Sequence, residues 1–211
     1  MTHAGESYTV VGKEAHAKFS EIERAAAVDA AKALRAADLP CPVVSVGSTP
    51  TAHAVCDLTG VTELRAGVYV FFDLVMAGIG VCQKEDIALS VLTTVIGHQH
   101  DRGWTMVDAG WMAMSRDKGT ADQAVDQGYG VVCDEAGNIL PDLILSSANQ
   151  EHGIITRRSG ATTPMPELPV STRLRILPNH ACATAAQHSH FNVIPAEADS
   201  AMMEWPRFGG W

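Results

Sequence analysis

The sequence predicts an α/β portion over residues 1–75, followed by a mostly antiparallel β domain over residues 76–211. Before Asp73, a long stretch with helical periodicity alternates with short apolar runs that are typical of buried strands, and this alternation indicates parallel α/β units. After Asp73, strand-like runs follow one another between glycine-rich or polar turns, and no helix of three turns is expected there. The two halves therefore belong to different fold classes.

The first element is predicted to be an amphipathic helix over residues 13–37, which Pro40 follows as a stop signal. Apolar residues recur there at spacings of three and four, while charged residues occupy the other faces. The predicted apolar face consists of Phe19, Ile22, Ala26, Ala30, Ala33 and Leu34.

Two apolar strands flank a short helix in the rest of this half. Residues 41–46 carry apolar side chains at both alternations, as a strand covered on both faces does. In the turn after them, we expect Thr49 to cap a short helix, and Pro50 fits its first helical position. A further apolar strand is predicted over residues 64–72.

The α/β half is too small for the strands that it predicts. About three strands cannot close a barrel, and the few helices cannot cover a parallel sheet on both faces. The sequence therefore predicts a further N-terminal portion that this chain lacks.

The second half contains strand-like runs that polar or glycine-rich turns separate, such as the turn over residues 134–138. Residues 159–169 are rich in proline and predict a loop within this half. The predicted strands span residues 87–96, 104–108, 129–133 and 142–145.

Composition excludes several classes of function. The chain has 46% apolar and 18% charged residues, as a well-packed protein does. Its net charge of −9 and the absence of a basic run argue against a nucleic-acid partner. No apolar run is long enough to span a membrane, and the first residues do not form a secretory signal. Five scattered cysteines without an export signal predict reduced thiols and a cytoplasmic location.

Two glycine-containing segments of the first half are candidate ligand sites. Gly47, Ser48 and Thr49 follow a predicted strand and open a helix, where backbone N–H groups and two hydroxyls suit a phosphate. An ordinary turn with a helix cap is the alternative. Gly67 lies within the last apolar strand, where a glycine indicates either the close approach of a ligand or a β-bulge.

A candidate metal site lies in the second half. His180 and Cys182 are two residues apart, so on a strand their side chains would point to the same side, and both are good zinc ligands. The spacing does not by itself choose among three such pairs, because His98 and His100, and His188 and His190, share it. None of these matches a closed four-ligand site. A two-ligand site with open positions would indicate a Lewis-acid metal that binds substrate.

Seven short segments follow one another along the chain: THAGESY at residues 2–8, SVGSTPT at 45–51, ELRAGVYVFFD at 63–73, VDAGW at 107–111, QEHG at 150–153, LPNHACAT at 177–184 and WPRFGGW at 205–211. Together they resemble the D-serine dehydratase / D-threonine aldolase family, which includes enzymes that act on D-3-hydroxyaspartate. The resemblance implies an alanine-racemase-like (β/α)8 barrel that holds pyridoxal 5'-phosphate, followed by a β domain. This chain would supply the C-terminal part of the barrel over residues 1–75 and the metal-bearing β domain over residues 76–211.

The resemblance also implies roles for individual residues. The metal ligands would be His180 and Cys182, in preference to the two other pairs, and the thiol favours zinc, with manganese or magnesium as alternatives. The residues that would bind the cofactor are His3, Tyr8, Gly47, Ser48, Thr49, Gly67, Val68 and Tyr69.

The activity that the resemblance implies is the elimination of water from a β-hydroxy-D-amino acid such as D-serine or D-threo-3-hydroxyaspartate, which yields a keto acid and ammonia. Retro-aldol cleavage of D-threonine or D-3-hydroxyaspartate at the same site is the alternative. An alternative of another class is a non-catalytic metal-binding or assembly module of a split enzyme. The family also implies a homodimer.

The catalytic lysine is not among the residues of this chain. Members of the family bind the cofactor through a lysine of the first barrel strand, upstream of every segment present here. The lysines of this chain lie in the predicted helix or in polar turns, at Lys13, Lys18, Lys32, Lys84 and Lys118. None of them is a candidate for the Schiff base, so this chain alone is expected to be inactive.

Overall fold

The computed structural model of the chain describes residues 1–196 and 200–209. The chain folds into two compact units, of which one comprises Met1–Leu89 with Gly119–Asp126 and the other Ser90–Lys118 with Gln127–Trp211. The predicted domain boundary near residue 75, at which the α/β portion was expected to end, stays a prediction. The final two residues of the WPRFGGW segment lie outside the described residues.

The first unit contains one long helix, two short helices and a pair of short parallel strands. The predicted helix over residues 13–37 is confirmed. The two strands are parallel and pair Ser45 with Glu63. The bounds of the elements are Lys13–Ala36 for α1, Ser45–Val46 for β1, Thr49–Ala54 for α2, Glu63–Leu64 for β2 and Leu74–Gly78 for α3.

Helix α1 buries a different face from the predicted one. Ile22 is 63% exposed and Leu34 is 42% exposed, so the predicted apolar face is wrong. Small alanines instead pack against Val44 and Val46, and the polar residues beside them are buried because they find hydrogen-bond partners. The buried face consists of His16, Ser20, Glu23, Ala27, Val28 and Ala31.

The two strands of this unit are shorter than the sequence predicts. Val43 is 57% exposed, so residues 41–46 do not form a strand covered on both faces. After Leu64 the chain leaves β2, and Val68–Val70 form a 3₁₀ turn instead of a strand. A strand continues only where a neighbour satisfies its backbone groups, and β1 ends where Gly47 adopts a φ of +133°.

The second unit is built around a closed barrel of six antiparallel strands in the order β3-β4-β7-β6-β5-β8, in which β8 pairs with β3. The mostly antiparallel β domain is thereby confirmed, and a barrel strand overlaps each predicted run, although the strand predicted over residues 87–96 begins only at Val91. The barrel strands are Val91–Gln99 (β3), Trp104–Val107 (β4), Gly130–Asp134 (β5), Ile139–Ala148 (β6), Gly153–Arg157 (β7) and Arg173–Pro178 (β8). The other elements are the helices Trp111–Met114 (α4) and Ala181–Ala185 (α5) and the paired strands His190–Val193 (β9) and Met203–Pro206 (β10).

The barrel encloses an apolar core. Alternate residues of each strand point inward, as the twofold periodicity of a strand requires. Burying one such aliphatic side chain contributes about 1.5–3 kcal/mol to stability. The side chains that are at most 1% exposed include Val95, Val107, Val132, Leu145, Ile155 and Ile176.

Within the described ranges, no helix combines the length and the apolar character that crossing a membrane requires.

Candidate functional site

Three segments of the first unit lie side by side and bring candidate residues together. The backbone N–H of Thr2 donates to the carbonyl of Ser45 at 3.0 Å, and the N–H of Arg65 donates to the carbonyl of Val46 at 2.8 Å. The guanidinium of Arg65 also donates to the Ser45 hydroxyl and to the carbonyl of Thr2. Residues near these contacts therefore lie close together at one edge of the first unit.

Predicted cofactor-binding residues from different segments meet at this edge. The Nδ1 atom of His3 lies 3.2 Å from the carbonyl oxygen of Gly47. The rings of His3 and Tyr8 have centroids 6.0 Å apart, and the hydroxyl of Ser7 lies 3.3 Å from that of Ser48.

The residues after Gly67 reach the same neighbourhood in part. Val68 and Tyr8 pack against one buried cluster that contains Met76 and Ile79. Tyr69 is half exposed. Gly67 lies outside the strand in which we expected it, and no atom of the described residues would contact a Cβ there, so a β-bulge does not explain this glycine.

Gly47 is required by its backbone conformation and by its surroundings. Its φ of +133° is one that residues with a side chain rarely adopt. A Cβ at this position would overlap the carbonyl oxygen of Arg65. The turn is therefore closed tightly against the segment that follows β2.

The helix cap at α2 differs from the prediction. Ser48, not Thr49, is the N-cap, and its hydroxyl accepts the N–H of Thr51 in a reciprocal capping box. Ser48 has the extended backbone of a cap, whereas Thr49 is already helical. The hydroxyl of Thr49 is thus left out of the capping interaction.

The Thr49 hydroxyl has an unusual environment. Thr49 is 2% exposed, and its Oγ1 atom has no hydrogen-bond partner among residues 1–196 and 200–209. A buried hydroxyl without a partner costs about 1–3 kcal/mol. An oxygen-rich ligand such as a phosphate would remove this cost.

Glu23 belongs to this site, although the sequence analysis did not single it out. Its Oε1 atom accepts the N–H of Gly47 at 2.9 Å, and its Oε2 atom accepts the hydroxyl of Thr51 at 3.0 Å. A pattern of small and polar residues on one face of α1 would have indicated it, because that face rather than the apolar one is buried.

In the second unit, His180 and Cys182 do not lie on a strand as expected. Strand β8 ends at Pro178, His180 is the N-cap of α5, and Cys182 lies in the first turn of that helix. The segment is helical because residues 181–185 are mostly alanine, which favours helix over strand. The two residues nevertheless stay close, because they are the N-cap and the second residue of the same short helix.

Asp117 joins this pair. Its Oδ2 atom lies 2.6 Å from Nδ1 of His180. The pKa of His180 is raised to about 9: the neighbouring Cys182 raises it most, partial burial acts in the opposite direction, and the hydrogen bond with Asp117 also raises it. A histidine that ligates a metal commonly has a carboxylate against its other ring nitrogen, as Asp117 is here.

The loop that carries Asp117 is held in a strained conformation. Ser115 is buried and has φ +74° and ψ +170°, a region that is almost restricted to glycine. The hydroxyl of Thr184 in α5 donates to the carbonyl of Met114 at 2.7 Å. The end of α4 and the start of α5 are therefore fixed to each other, with Asp117 and His180 on the two connected segments.

The two other histidine pairs have structural partners. The rings of His98 and His100 stack with centroids 5.2 Å apart, and Nε2 of His98 lies 2.8 Å from the carbonyl of Leu168. His188 lies against the carbonyl of Ala113, and His190 lies beside Glu204.

Across the part of the chain that the structure describes, no three His, Cys, Asp or Glu side chains are arranged as a metal site. A metal at His180 and Cys182 would therefore have two protein ligands and open positions.

Among the other cysteines, Cys82 and Cys133 are unsuited to metal binding. Burial raises the pKa of the Cys82 thiol to about 12 and that of the Cys133 thiol to about 11. Both side chains are buried, so neither thiol is open to a metal that also binds substrate. Cys182, in contrast, is exposed.

Comparison with known proteins identifies the family. The family model described as "Putative serine dehydratase domain" matches residues 88–194, which are half of the chain. The chain belongs to this family. The resemblance on which the site residues were predicted is thereby confirmed at the level of the family.

Two relatives that are named as dehydratases align with all or nearly all of the chain. A D-threo-3-hydroxyaspartate dehydratase from Delftia sp. (strain HT23) is 61% identical over 213 residues, which cover 100% of this chain and 56% of that protein. A D-serine dehydratase from Dictyostelium discoideum is 30% identical and covers 92% of this chain and 49% of its own length. The chain spans about half the length of the curated relatives that it matches.

Solved structures share this fold. A cysteine-to-alanine mutant of D-threo-3-hydroxyaspartate dehydratase in a metal-free form has a TM-score of 0.91 at 60% identity, and the match covers 100% of this chain and 55% of that chain. A histidine-to-alanine mutant of D-threo-3-hydroxyaspartate dehydratase has a TM-score of 0.92 at 60% identity, and the match covers 100% of this chain and 54% of that chain. An alanine-racemase-like protein from Idiomarina loihiensis has a TM-score of 0.91 at 46% identity, covering 100% of this chain and 56% of its own. The solved structures that resemble this chain thus include an alanine-racemase-like protein.

Proposed function

We propose that the protein is a dehydratase that uses pyridoxal 5'-phosphate and a divalent metal to eliminate water from a β-hydroxy-D-amino acid, with D-threo-3-hydroxyaspartate as the first substrate to test. The observation that carries this proposal is the placement of His180 and Cys182 together at the start of α5, with Asp117 2.6 Å from His180, in a chain that is 61% identical to a D-threo-3-hydroxyaspartate dehydratase. The histidine and cysteine that were replaced in the solved mutants of that enzyme are two positions apart, as His180 and Cys182 are, and the cysteine mutant is metal-free.

The first unit is proposed to be the C-terminal part of a (β/α)8 barrel. The parallel pairing of β1 and β2 and the gathering of His3 and Gly47 at one edge support this proposal. The exposed apolar side chains of Val43 and Leu64 are also typical of a surface that other parts of a barrel would cover. The likeness to an alanine-racemase-like protein agrees with this assignment.

The residues at this edge fit a phosphorylated cofactor, because the buried hydroxyl of Thr49 has no partner among the described residues. Gly47 contributes the tight turn, Ser48 caps α2, and Thr49 would bind the phosphate. His3 and Tyr8 would lie beside the ring, and Gly67, Val68 and Tyr69 would complete the site. Pyridoxal 5'-phosphate supplies an electron sink for the loss of the α-proton. The lysine that binds this cofactor is proposed to lie outside this chain, since Lys13, Lys18 and Lys32 occupy exposed positions of α1.

The second site fits a zinc ion by the chemistry of its donors, which are an imidazole nitrogen and a thiol. Asp117 engages Nδ1 of His180, so Nε2 would be the nitrogen that holds a metal. Zinc supplies Lewis-acid chemistry that makes a β-hydroxyl a better leaving group. Loss of the α-proton and of this hydroxyl turns the substrate into an enamine, which hydrolyses to a keto acid and ammonia.

Product analysis tests this function. The assay uses the whole protein that the gene encodes, including any segment outside this chain. We call this the intact protein. We expect ammonia and a keto acid from D-threo-3-hydroxyaspartate and from D-serine, because the thiol ligand favours zinc-assisted elimination. Glycine together with glyoxylate or an aldehyde would instead demonstrate retro-aldol cleavage. Stoichiometric zinc without turnover of any of these substrates would favour a metal-binding module.

Asp117→Asn removes the carboxylate that lies against His180, which is a proposed metal ligand, and thereby tests the metal site. We expect zinc affinity to fall about 10–100-fold, because the histidine loses the carboxylate that orients its ring. Competition with a chelator of known affinity measures this change. Asp122→Asn removes an exposed carboxylate from the other unit and should leave the affinity as it is. An Asp117→Asn protein that binds zinc as tightly as the wild type would show that Asp117 does not support the ligand.

A further inference from the structure

A buried carboxylate lies behind the candidate phosphate loop. Glu23, in the middle of α1, is 6% exposed. Its carboxylate accepts three hydrogen bonds from separate parts of the first unit: the N–H of Gly47 at 2.9 Å, the hydroxyl of Thr51 at 3.0 Å and the hydroxyl of Thr2 at 3.1 Å. An ionised carboxylate is an acceptor only, with room for several donors, so it suits this position better than any neutral side chain.

These bonds decide which polar groups of the loop are already used. The N–H of Gly47 donates to Glu23, and the N–H of Ser48 lies 3.2 Å from the hydroxyl of Thr51. The Ser48 hydroxyl accepts the N–H of Thr51. The hydroxyl of Thr49 is the loop's buried side-chain oxygen without a partner in the described structure. Glu23 therefore occupies two donors of the loop, the N–H of Gly47 and the hydroxyl of Thr51, so neither donor is available to a ligand.

The same carboxylate reaches the segment at the start of the chain. Thr2 donates to Glu23, and the neighbouring His3 places its Nδ1 atom 3.2 Å from the carbonyl of Gly47. One side chain thus fixes both the loop and the residue before His3. A negative group close to a phosphate is electrostatically unfavourable, so its presence here indicates a geometric role.

We propose that Glu23 is a positioning residue for the phosphate of the cofactor: it holds the turn at Gly47 and Thr51 so that the Thr49 hydroxyl is presented to that group. This inference rests on the proposed function, since it assumes that the loop binds the phosphate of pyridoxal 5'-phosphate. Glu23 acts through the loop and does not itself contact the cofactor.

Binding measurements on the intact protein test this proposal. Dissociation constants for pyridoxal 5'-phosphate and for pyridoxal, which lacks the phosphate, are measured by absorbance and fluorescence titration. We expect Glu23→Ala to weaken binding of the phosphorylated form about tenfold or more, because the N–H of Gly47 loses its acceptor, while pyridoxal binding changes little. Glu23→Gln keeps one oxygen acceptor at the same distance and should recover most of the preference for the phosphate. Glu14→Ala, at an exposed position of α1, is the matched control.

The outcomes separate this proposal from the proposed function. A wild-type protein that binds pyridoxal as tightly as pyridoxal 5'-phosphate would contradict the cofactor site itself. A wild type that prefers the phosphate, with a Glu23→Ala variant that keeps the same ratio of the two constants, would overturn the role of Glu23 alone. If the alanine variant does not fold, Glu23→Asp replaces it: its shorter side chain keeps the charge but cannot reach the loop, and an unchanged ratio there would equally overturn the proposal.

Discussion

Replacing Cys182 with alanine is expected to abolish stoichiometric zinc in the intact protein and to lower dehydratase activity at least about 100-fold, beyond the 10–100-fold loss that is typical of an outer-shell partner. The reason is that a site with two protein ligands and open positions loses half of its protein donors, and the thiolate is the softer of the two. Metal analysis of the dialysed protein and the ammonia assay measure the two effects.

Cys56→Ala is the matched control for this change, because Cys56 is also an exposed, free cysteine. Its zinc content and activity should equal those of the wild type. A Cys182→Ala protein that retains one zinc per chain would move the metal to another pair, either His98 with His100 or His188 with His190.

Replacing Gly47 with alanine is expected to weaken the binding of pyridoxal 5'-phosphate by about 100-fold, the scale on which a misplacement of about 1 Å affects a site. The added Cβ would overlap the backbone of Arg65, which cannot move as a flexible side chain can. The backbone conformation alone costs an alanine about 1–3 kcal/mol. Titration with the cofactor and thermal unfolding of the cofactor-free protein measure the change in affinity and in stability.

Gly137→Ala separates these two causes. Gly137 also has a positive φ, of +96°, but a Cβ there would meet no atom within 4 Å. We expect this variant to lose some stability and no cofactor affinity. Equal cofactor affinity in the Gly47→Ala and Gly137→Ala proteins would show that the turn at Gly47 does not shape the binding site.

The sequence predicts well those features that depend on local periodicity. The bounds of α1 follow from its helical spacing, and the β domain follows from short apolar runs between turns. The family was predicted from seven short segments, and the order of these segments along the chain was more informative than any single residue. The site residues were predicted from the same segments.

Features that depend on distant partners were predicted wrongly or not at all. The buried face of α1 was missed because Glu23 is buried by its bond to Gly47, which lies 24 residues away. Asp117 could not be paired with His180 from the sequence, because 63 residues separate them. The strand predicted over residues 64–72 failed because strand propensity has no effect without a neighbouring strand.

Local competition explains two smaller errors. Both Ser48 and Thr49 can cap a helix, and the choice between them depended on the reciprocal bond with Thr51. The spacing of His180 and Cys182 was consistent with a strand, but the alanines around Cys182 favour a helical turn. In both cases the local structure differs from the predicted one, and the roles of these residues stay predictions.

The most direct test of a metal-assisted elimination is the rate of ammonia release from D-threo-3-hydroxyaspartate by the intact protein, measured before zinc removal by a chelator, after it, and again after zinc is restored. The rate should fall to background in the zinc-free protein and recover with added zinc. Ammonia release that continues unchanged without zinc would contradict the role given to His180 and Cys182.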